Sequence, residues 1–95
     1  MSKQMLMRTL LQSAKGSAAC TQRQRILSVL QAGYSLTTIE ARRDLDVLAP
    51  AVRVLELRRL GHPIATTWGR ERTDAGIWHR IARYSLVPGG TTCSL

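Results

Sequence analysis

The sequence has little of what a disulfide-stabilised, membrane-spanning or secreted protein requires. Its 95 residues include two cysteines, Cys20 and Cys93, which are too few for a disulfide framework and fit a reducing cytoplasm. No apolar run approaches the roughly 18 residues of a membrane span. The N-terminal segment slightly resembles a signal peptide, but Arg8 and Gln12 interrupt its short apolar region. The sequence therefore predicts a cytoplasmic protein that neither crosses a membrane nor is exported.

Patterns typical of catalysis or metal binding are also missing. His62 and His79 are far apart, and no cysteine or acid stands at a ligand-like spacing from them. Gly69–Gly76 begins and ends with glycine, but it lacks the Lys-Ser/Thr ending of a phosphate-binding loop. Cys20 has no histidine that the sequence places to activate it. We therefore expect neither an enzyme nor a cofactor, a metal or a small-molecule substrate.

Acidic residues are scarce relative to basic ones. The chain has 14 Lys or Arg against six Asp or Glu, a formal net charge of +8, and most of the cations are arginine. Arginine pairs bidentately with phosphate and with guanine. This charge favours an anionic polymer as the partner, although a solvated arginine-rich surface has the same composition. A chain of this length forms one small domain, to which a partner subunit would add stability.

The two ends of the chain predict segments outside this domain. Residues 1–20 predict a short amphipathic helix and a small-residue linker, because Met5, Leu6 and Leu10 recur at helical spacing. This helix packs on the domain, mediates homodimerisation or frays, and we favour the first two alternatives. Residues 87–95 predict a flexible C-terminal tail.

Residues 21–86 begin with two predicted helices. The segments Thr21–Gln24 and Thr37–Glu40 each fit a capping box, in which a hydroxyl residue precedes Gln or Glu by three positions. Gly33 is suited to end the first helix in a left-handed conformation. The second helix is short and is followed by a turn at Asp46–Leu48. The second helix, this turn and the helix that follows it are therefore predicted to form a helix–turn–helix.

The third helix and a β-hairpin complete the predicted domain. Ala49-Pro50 opens the helix, whose inward stripe we predict as Ala51, Val54 and Leu57. The hairpin consists of strands His62–Trp68 and Ile77–Leu86 around the polar loop Gly69–Gly76. We expect Trp68 and Trp78 to cover the core beneath the hairpin and Tyr84 to lie inside it. The predicted fold is mostly α with a small β-hairpin (α+β): a winged helix-turn-helix with a three-helix core, a two-stranded wing and an extra N-terminal helix.

These residues resemble a family of small helix-turn-helix domain proteins common in bacteriophages and prophages. The matching segments are Ile26-Leu27-x-x-Leu30-x-x-Gly33, Leu36-Thr37-x-x-Glu40-Ala41, Arg53-Val54-x-x-Leu57-Arg58-x-x-Gly61-His62-Pro63-Ile64 and Ala82-Arg83-Tyr84-x-Leu86. The resemblance implies a winged-helix fold and DNA binding, hence a phage or prophage transcriptional regulator in the bacterial host cytoplasm or nucleoid. Function inferred from a fold in this way is an analogy.

Docking of the third helix in the major groove of double-stranded DNA, with the wing on the flanking backbone, predicts a set of contact residues. That set is Thr37, Thr38, Arg42, Arg43, Ala49, Val52, Arg53, Arg59, Arg70, Arg72 and Arg80. The threonines precede a helix N-terminus that can hold a phosphate, and Arg70 and Arg72 lie at the predicted loop tip.

Several of these residues have structural alternatives. Thr37 can act as a cap alone, and Arg42 and Arg43 can pair locally with Asp44 or Asp46. Arg53 can form an ion pair with Glu40 instead of contacting DNA. Similarly, Arg58 can pair with Glu56 or Glu40.

The third helix also supports a rival hypothesis. Its exposed start offers Ala49, Pro50 and Val52 but no Asn, Gln, Ser or Lys to contact base edges. A protein-binding adaptor or host-directed inhibitor that presents Pro50, Val52 and Leu55 to another protein is therefore the alternative to a DNA-binding regulator.

Overall fold

The structure, a computed structural model, describes residues 2–13, 16 and 18–87 and contains, within them, four helices and three strands. In chain order these are α1 Lys3–Ser13, α2 Ala19–Gln31, β1 Leu36–Thr37, α3 Thr38–Asp44, α4 Pro50–Arg59, β2 Ile64–Arg72 and β3 Trp78–Leu86. Apart from Val87, the predicted C-terminal tail lies outside the described residues.

A single hydrophobic core lies between α2, α3, α4 and the base of the sheet. Its most buried side chains are Met7, Ile26, Leu27, Val29, Leu30, Leu36, Ala41, Leu45, Val47, Val54, Leu57, Ile64, Ala82 and Tyr84. The predicted burial of Tyr84 is confirmed, with 5% of its surface exposed. Since every helix and strand contributes to this core, the elements are held in one arrangement around it.

Helix α2 begins two residues before the predicted cap. Its N-cap is Ala18, which makes no side-chain capping bond, so the capping box expected at Thr21–Gln24 does not start the helix. Ala19 and Cys20 extend the helix upstream, and the Gln22 N–H donates to the Ala18 carbonyl at 3.0 Å. The predicted end is confirmed: Gly33 has a φ of +92°, and its N–H donates to the Leu30 carbonyl at 3.0 Å.

The second predicted capping box is present at the start of α3. The Thr37 hydroxyl accepts from the Glu40 N–H at 3.1 Å, and the Glu40 carboxylate accepts from the Thr37 N–H at 3.0 Å. The following turn inserts Leu45 and Val47 into the core, each fully buried. Asp46 between them has a φ of +54°, a left-handed conformation that Asp tolerates better than most residues.

Helix α4 begins at Pro50 as predicted, with the proline in the first turn. Val54 and Leu57 are buried, but Ala51 is exposed and the third buried residue is Pro50. At about 100° per residue, Pro50, Val54 and Leu57 fall on one side of the helix, whereas Ala51 lies a quarter turn away. The predicted inward stripe is therefore wrong at Ala51.

The wing belongs to a three-stranded antiparallel sheet in the order β1-β3-β2. The sequence predicted two strands, but Leu36 and Thr37 also pair with Tyr84 and Arg83. Strands β2 and β3 pair along nine residues, from Ile64 opposite Leu86 to Arg72 opposite Trp78. Half of the predicted polar loop, residues 69–72, is consequently strand, and the connection consists of residues 73–77.

Helix α1 packs against its own domain. Met7 is 2% exposed, and Leu6 and Leu10 pack on the core beside it. The Lys3 ammonium lies 2.8 Å from both Glu40 carboxylate oxygens. The packing alternative is thus confirmed, and the apolar side of α1 is occupied within the chain.

Candidate nucleic-acid interface

The exposed side of α4 is largely apolar. We define the α4 outer face as Ala51, Val52, Leu55 and Arg59, which helical spacing places together opposite the buried side. Val52 and Leu55 are 46% and 45% exposed, and the other two are also exposed. Ala49, just before the helix, is exposed as well. This face offers methyl groups and one guanidinium to a partner.

Arg53 lies away from this face. Its Nε is 3.2 Å from Glu56 Oε1, and the same carboxylate accepts from Arg23 of α2 at 2.8 Å. The Arg53 side chain is only 17% exposed. The suggested pair with Glu40 is wrong, because Glu40 is engaged by Lys3 and Thr37. Arg53 therefore shares the Glu56 carboxylate with Arg23 inside the domain, and it is a poor candidate for DNA contact.

The two threonines at the start of α3 differ in how exposed they are. Thr37 is 1% exposed and its hydroxyl is used in the capping box, so its side chain cannot reach a phosphate. Thr38 is partly exposed, and its hydroxyl is 3.5 Å from the Ala82 carbonyl. Of the two, only Thr38 is placed for a phosphate contact, and the capping alternative for Thr37 is confirmed.

Two exposed arginines lie on α3. Arg42 donates from Nε to the Leu48 carbonyl at 3.2 Å. Arg43 forms a two-pronged pair with Asp44, and this hydrogen bond and charge raise the pKa of Arg43 further above its ordinary value. Arg43 therefore has a local carboxylate partner, as the structural alternative predicted, whereas Arg42 bonds to a backbone carbonyl.

The wing carries a row of alternating tryptophan and arginine. Because side chains alternate between the two faces of a strand, the register places Trp68, Arg70, Arg72, Trp78 and Arg80 on the face that continues from the core. We call these five residues the wing platform. Arg70 and Arg72 lie in β2 rather than at the loop tip.

The two tryptophans do not cover the core. Trp68 and Trp78 are 58% and 57% exposed, so their predicted burial is wrong. On this face the ribbon carries Trp78 beyond the buried residues Ala82 and Tyr84, and Trp68 lies directly opposite Ala82, where the buried part of the face ends. Exposed indoles are consequently available to a partner.

The wing platform places like charges next to each other. The guanidinium of Arg80 lies over the Trp68 ring, 4.3 Å from its centroid. Arg70 stands directly opposite Arg80 in the ladder, an arrangement that is unfavourable without a counterion. No acidic residue occupies this face along β2 or β3. The electrostatics of the platform therefore favour an anionic ligand.

Most carboxylates of the chain are already neutralised elsewhere. Glu40, Asp44, Glu56 and Glu71 each have a cationic partner within 4 Å. Within residues 2–13, 16 and 18–87, the exposed arginines without a carboxylate partner are Arg8, Arg42, Arg58, Arg59, Arg70, Arg72 and Arg80. Three of these seven belong to the wing platform, more than to any single helix.

A groove joins the three candidate regions. It has a volume of about 420 Å³ and is lined by Thr38 and Arg42 of α3, Ala51 of α4, and Trp68 and Arg80 of the wing, among others. Of the predicted contacts, Thr38, Arg42 and Arg80 line this groove, whereas Thr37 and Arg53 do not.

Two arginines form hydrogen bonds within the domain that the sequence did not predict. Arg25 is 2% exposed and donates to the Leu45 and Gly16 carbonyls, which no local pattern signals. Arg58, expected to pair with an acid, donates instead to the Ile64 carbonyl and to Thr66 at 2.9 and 2.6 Å. The wing platform did have a signal, because Trp68, Arg70 and Arg72 alternate with period two.

The part of the chain that the structure describes contains neither a membrane-spanning helix nor a metal-binding cluster. None of its helices is both long and apolar enough to cross a bilayer. Within the same residues, no three His, Cys, Asp or Glu side chains are grouped so that they could hold a metal ion.

The helix–turn–helix formed by α3 and α4, followed by the β2–β3 ribbon, defines the winged helix-turn-helix class of domains. A family model described as a winged helix-turn-helix domain matches residues 21–89. This match covers well over half of the chain, and the protein belongs to that family. No curated protein and no solved structure is significantly similar to the chain. The fold is therefore one that suggests DNA binding.

Proposed function

We propose that this protein is a small DNA-binding regulator of the phage or prophage type. Helix α4 docks in the major groove of double-stranded DNA, and the wing contacts the flanking backbone. The observation that carries the proposal is the groove between α3, α4 and the wing, which is lined by two exposed arginines without a carboxylate partner, Arg42 of α3 and Arg80 of the wing. Winged helix-turn-helix membership and a charge of +8 support it.

Electrostatics supply most of the binding free energy in this proposal. Arg42, Arg59, Arg70, Arg72 and Arg80 are exposed, and Arg42 and Arg80 line the groove itself. If these five cations meet phosphates, log K falls with log salt at a slope of about −4.5. The α4 outer face adds methyl contacts from Ala49 and Val52, which discriminate weakly between bases.

The test is binding to a random duplex and to duplexes selected from a random pool, measured by fluorescence anisotropy from about 50 to about 300 mM salt. A steep slope and a recovered sequence motif support a sequence-specific regulator. A steep slope without a motif reduces the proposal to nonspecific DNA association. Absence of binding at low salt overturns it.

Useful specificity favours a homodimer, because one such domain covers a single half-site. We propose that α1 contributes to it and that the protein acts in the bacterial host cytoplasm or nucleoid. The apolar side of α1 packs internally, so the contact has to use the outer side, where Met5 is 58% exposed. Sedimentation equilibrium of the full chain with Met5→Asp tests this, and an unchanged association constant contradicts it.

The rival function remains a protein-binding adaptor or host-directed inhibitor, favoured by the apolar side chains exposed around α4. Pro50, which this hypothesis included, is buried, but Leu48 and Leu60 are 77% and 67% exposed. The combined substitution of Arg42, Arg43, Arg70 and Arg72 by Ala separates the two functions. If the protein acts by binding DNA, this variant should lose its activity. If it acts by binding another protein, the variant should keep its activity.

A further inference from the structure

The wing platform has features that binding to a duplex backbone does not use. A phosphate contact needs exposed cations, but here two exposed indoles stand beside three arginines on one face of the ribbon. Aromatic rings and guanidinium planes are the surfaces on which unpaired bases stack. In a duplex the faces of the bases are covered by their neighbours, so such a surface has no stacking partner there.

We propose that the wing platform binds single-stranded DNA. Unpaired bases stack on Trp78 and on the Arg80 guanidinium that covers Trp68, while Arg70 and Arg72 hold the phosphates. This site shares Arg70, Arg72 and Arg80 with the proposed duplex interface, but it adds the two tryptophans and does not require α4 to enter a groove.

The geometry of the ribbon supports this assignment. Trp68 is opposite Ala82 and Trp78 is opposite Arg72, so the indoles are four ladder positions apart. At about 3.3 Å per residue this is a span of roughly 13 Å. Stacked nucleotides rise about 3.4 Å each along one strand, so about four nucleotides bridge the two rings.

Two hollows between these side chains lie within that span. One, of about 360 Å³, is lined by Trp68, Gly69, Arg70 and Arg80. The other, of about 190 Å³, is lined by Arg70 and Trp78. Arg70 borders both hollows, which places a cation between the two stacking positions.

The charge of the wing platform favours single-stranded DNA as its ligand. The face that carries the platform has no acidic residue along β2 or β3. Asp74 of the connecting turn borders another hollow together with Arg42, Arg43 and Arg72, so it approaches only the end of the platform at Arg72. The opposed Arg70 and Arg80 gain a shared counterion when a phosphate lies between them. A flexible single strand can supply both this phosphate and the neighbouring bases.

The intrinsic fluorescence of the full chain provides a direct test, because its only two tryptophans are Trp68 and Trp78. The probe is an oligothymidine of about 12 nucleotides, within the range of known single-strand sites. We expect the oligonucleotide to quench tryptophan emission in a saturable way. Unchanged emission, or a blue shift with anionic vesicles but none with the oligonucleotide, overturns the proposal.

Substitutions then assign the contact. Trp78→Leu should weaken oligothymidine binding about five- to 100-fold, the range found for loss of one stacked base, whereas Trp78→Phe keeps a ring and should stay within about threefold. Arg70→Gln should weaken binding more than Arg83→Gln, a matched change on the opposite face. Equal affinity of wild type and Trp78→Leu, with both folded by circular dichroism, contradicts the stacking.

Parallel titrations with a random duplex keep this proposal separate from the proposed function. Arg59→Ala should weaken duplex binding and leave oligothymidine binding unchanged, and Trp78→Leu should do the reverse. Oligothymidine binding without duplex binding overturns the duplex proposal alone. Duplex binding without oligothymidine binding overturns the single-strand proposal alone.

Discussion

The α4 outer face and the wing platform border the same groove but differ in chemistry. The helix presents Val52 and Leu55 with one guanidinium, from Arg59, whereas the wing presents three arginines and two tryptophans. In the usual division of labour, the helix in the major groove reads base edges and the wing adds backbone contacts. Here the helix has few groups that can hydrogen-bond to base edges.

This difference indicates where affinity and specificity originate. Contacts with phosphates give affinity that depends strongly on salt and little on sequence. Apolar contacts with thymine methyl groups give weak discrimination and almost no salt dependence. We therefore expect the wing to dominate affinity and α4 to set orientation and any sequence preference, and the following predictions test that separation.

The largest effect is expected from the wing. Replacing Arg70, Arg72 and Arg80 together by Ala should lower duplex affinity by about 100-fold or more at 0.1 M salt and reduce the salt slope by about 2.7. Fluorescence anisotropy across a salt series measures both quantities. The single change Arg59→Ala, on α4, is the comparison and should reduce the slope by only about 0.9. Equal losses from the two variants would contradict the dominance of the wing.

A smaller effect is expected when α4 is given the wrong charge. Val52→Glu places a carboxylate on the α4 outer face, so repulsion from phosphates should weaken duplex binding about tenfold if the helix enters the groove. Gln12→Glu adds the same charge on the exposed side of α1 and serves as the control. If both variants bind DNA equally well, α4 does not approach the duplex.

The parts of the fold that local sequence determines were predictable. The Thr37–Glu40 capping box, the helix end at Gly33 and the start of α4 at Pro50 each depend on a few neighbouring residues. The Thr21 box failed for a related reason. A cap forms only where the helix starts, and Ala19 and Cys20 let α2 begin earlier.

The errors in the candidate site arose from long-range structure. The pairing of Leu36 with Tyr84 joins residues that are distant in sequence. The length of the wing was underestimated because residues 69–72 are polar, and this error placed both tryptophans over the core. Arg53 and Glu56 are neighbours on α4, but their association with Arg23 depends on how α2 and α4 pack. Tertiary contacts of this kind leave no pattern in the local sequence.

A third prediction separates stability from binding within the wing. Arg70→Thr removes the repulsion between Arg70 and Arg80 and introduces a residue that favours strands. The free energy of unfolding should rise by about 0.2–1 kcal/mol, while duplex affinity falls about eightfold at 0.1 M salt through loss of one phosphate contact. Urea denaturation and anisotropy measure the two changes. A variant that is both less stable and weaker in binding would show that Arg70 is a structural residue.

The smallest effect concerns the scaffold that supports both faces. Burial alone raises the pKa of Glu40, but hydrogen bonds from Lys3 and the Thr37 backbone outweigh it and lower the pKa below the ordinary value of 4.5. A carboxyl with a lowered pKa stabilises the fold above its ordinary pKa, and this stabilisation is lost as the pH falls through the folded-state value. In Lys3→Gln the pKa is lowered less, so stability should decrease less between pH 5 and about pH 3.

Urea midpoints across this pH range measure the prediction. The salt slope for duplex binding at neutral pH should be the same in Lys3→Gln and wild type, because Lys3 is bound to Glu40 and lies outside both faces. An altered slope would show that α1 itself contributes to the DNA contact. In that case the comparison between helix and wing has to include a third surface, since the cation at Lys3 would be shared between Glu40 and a phosphate.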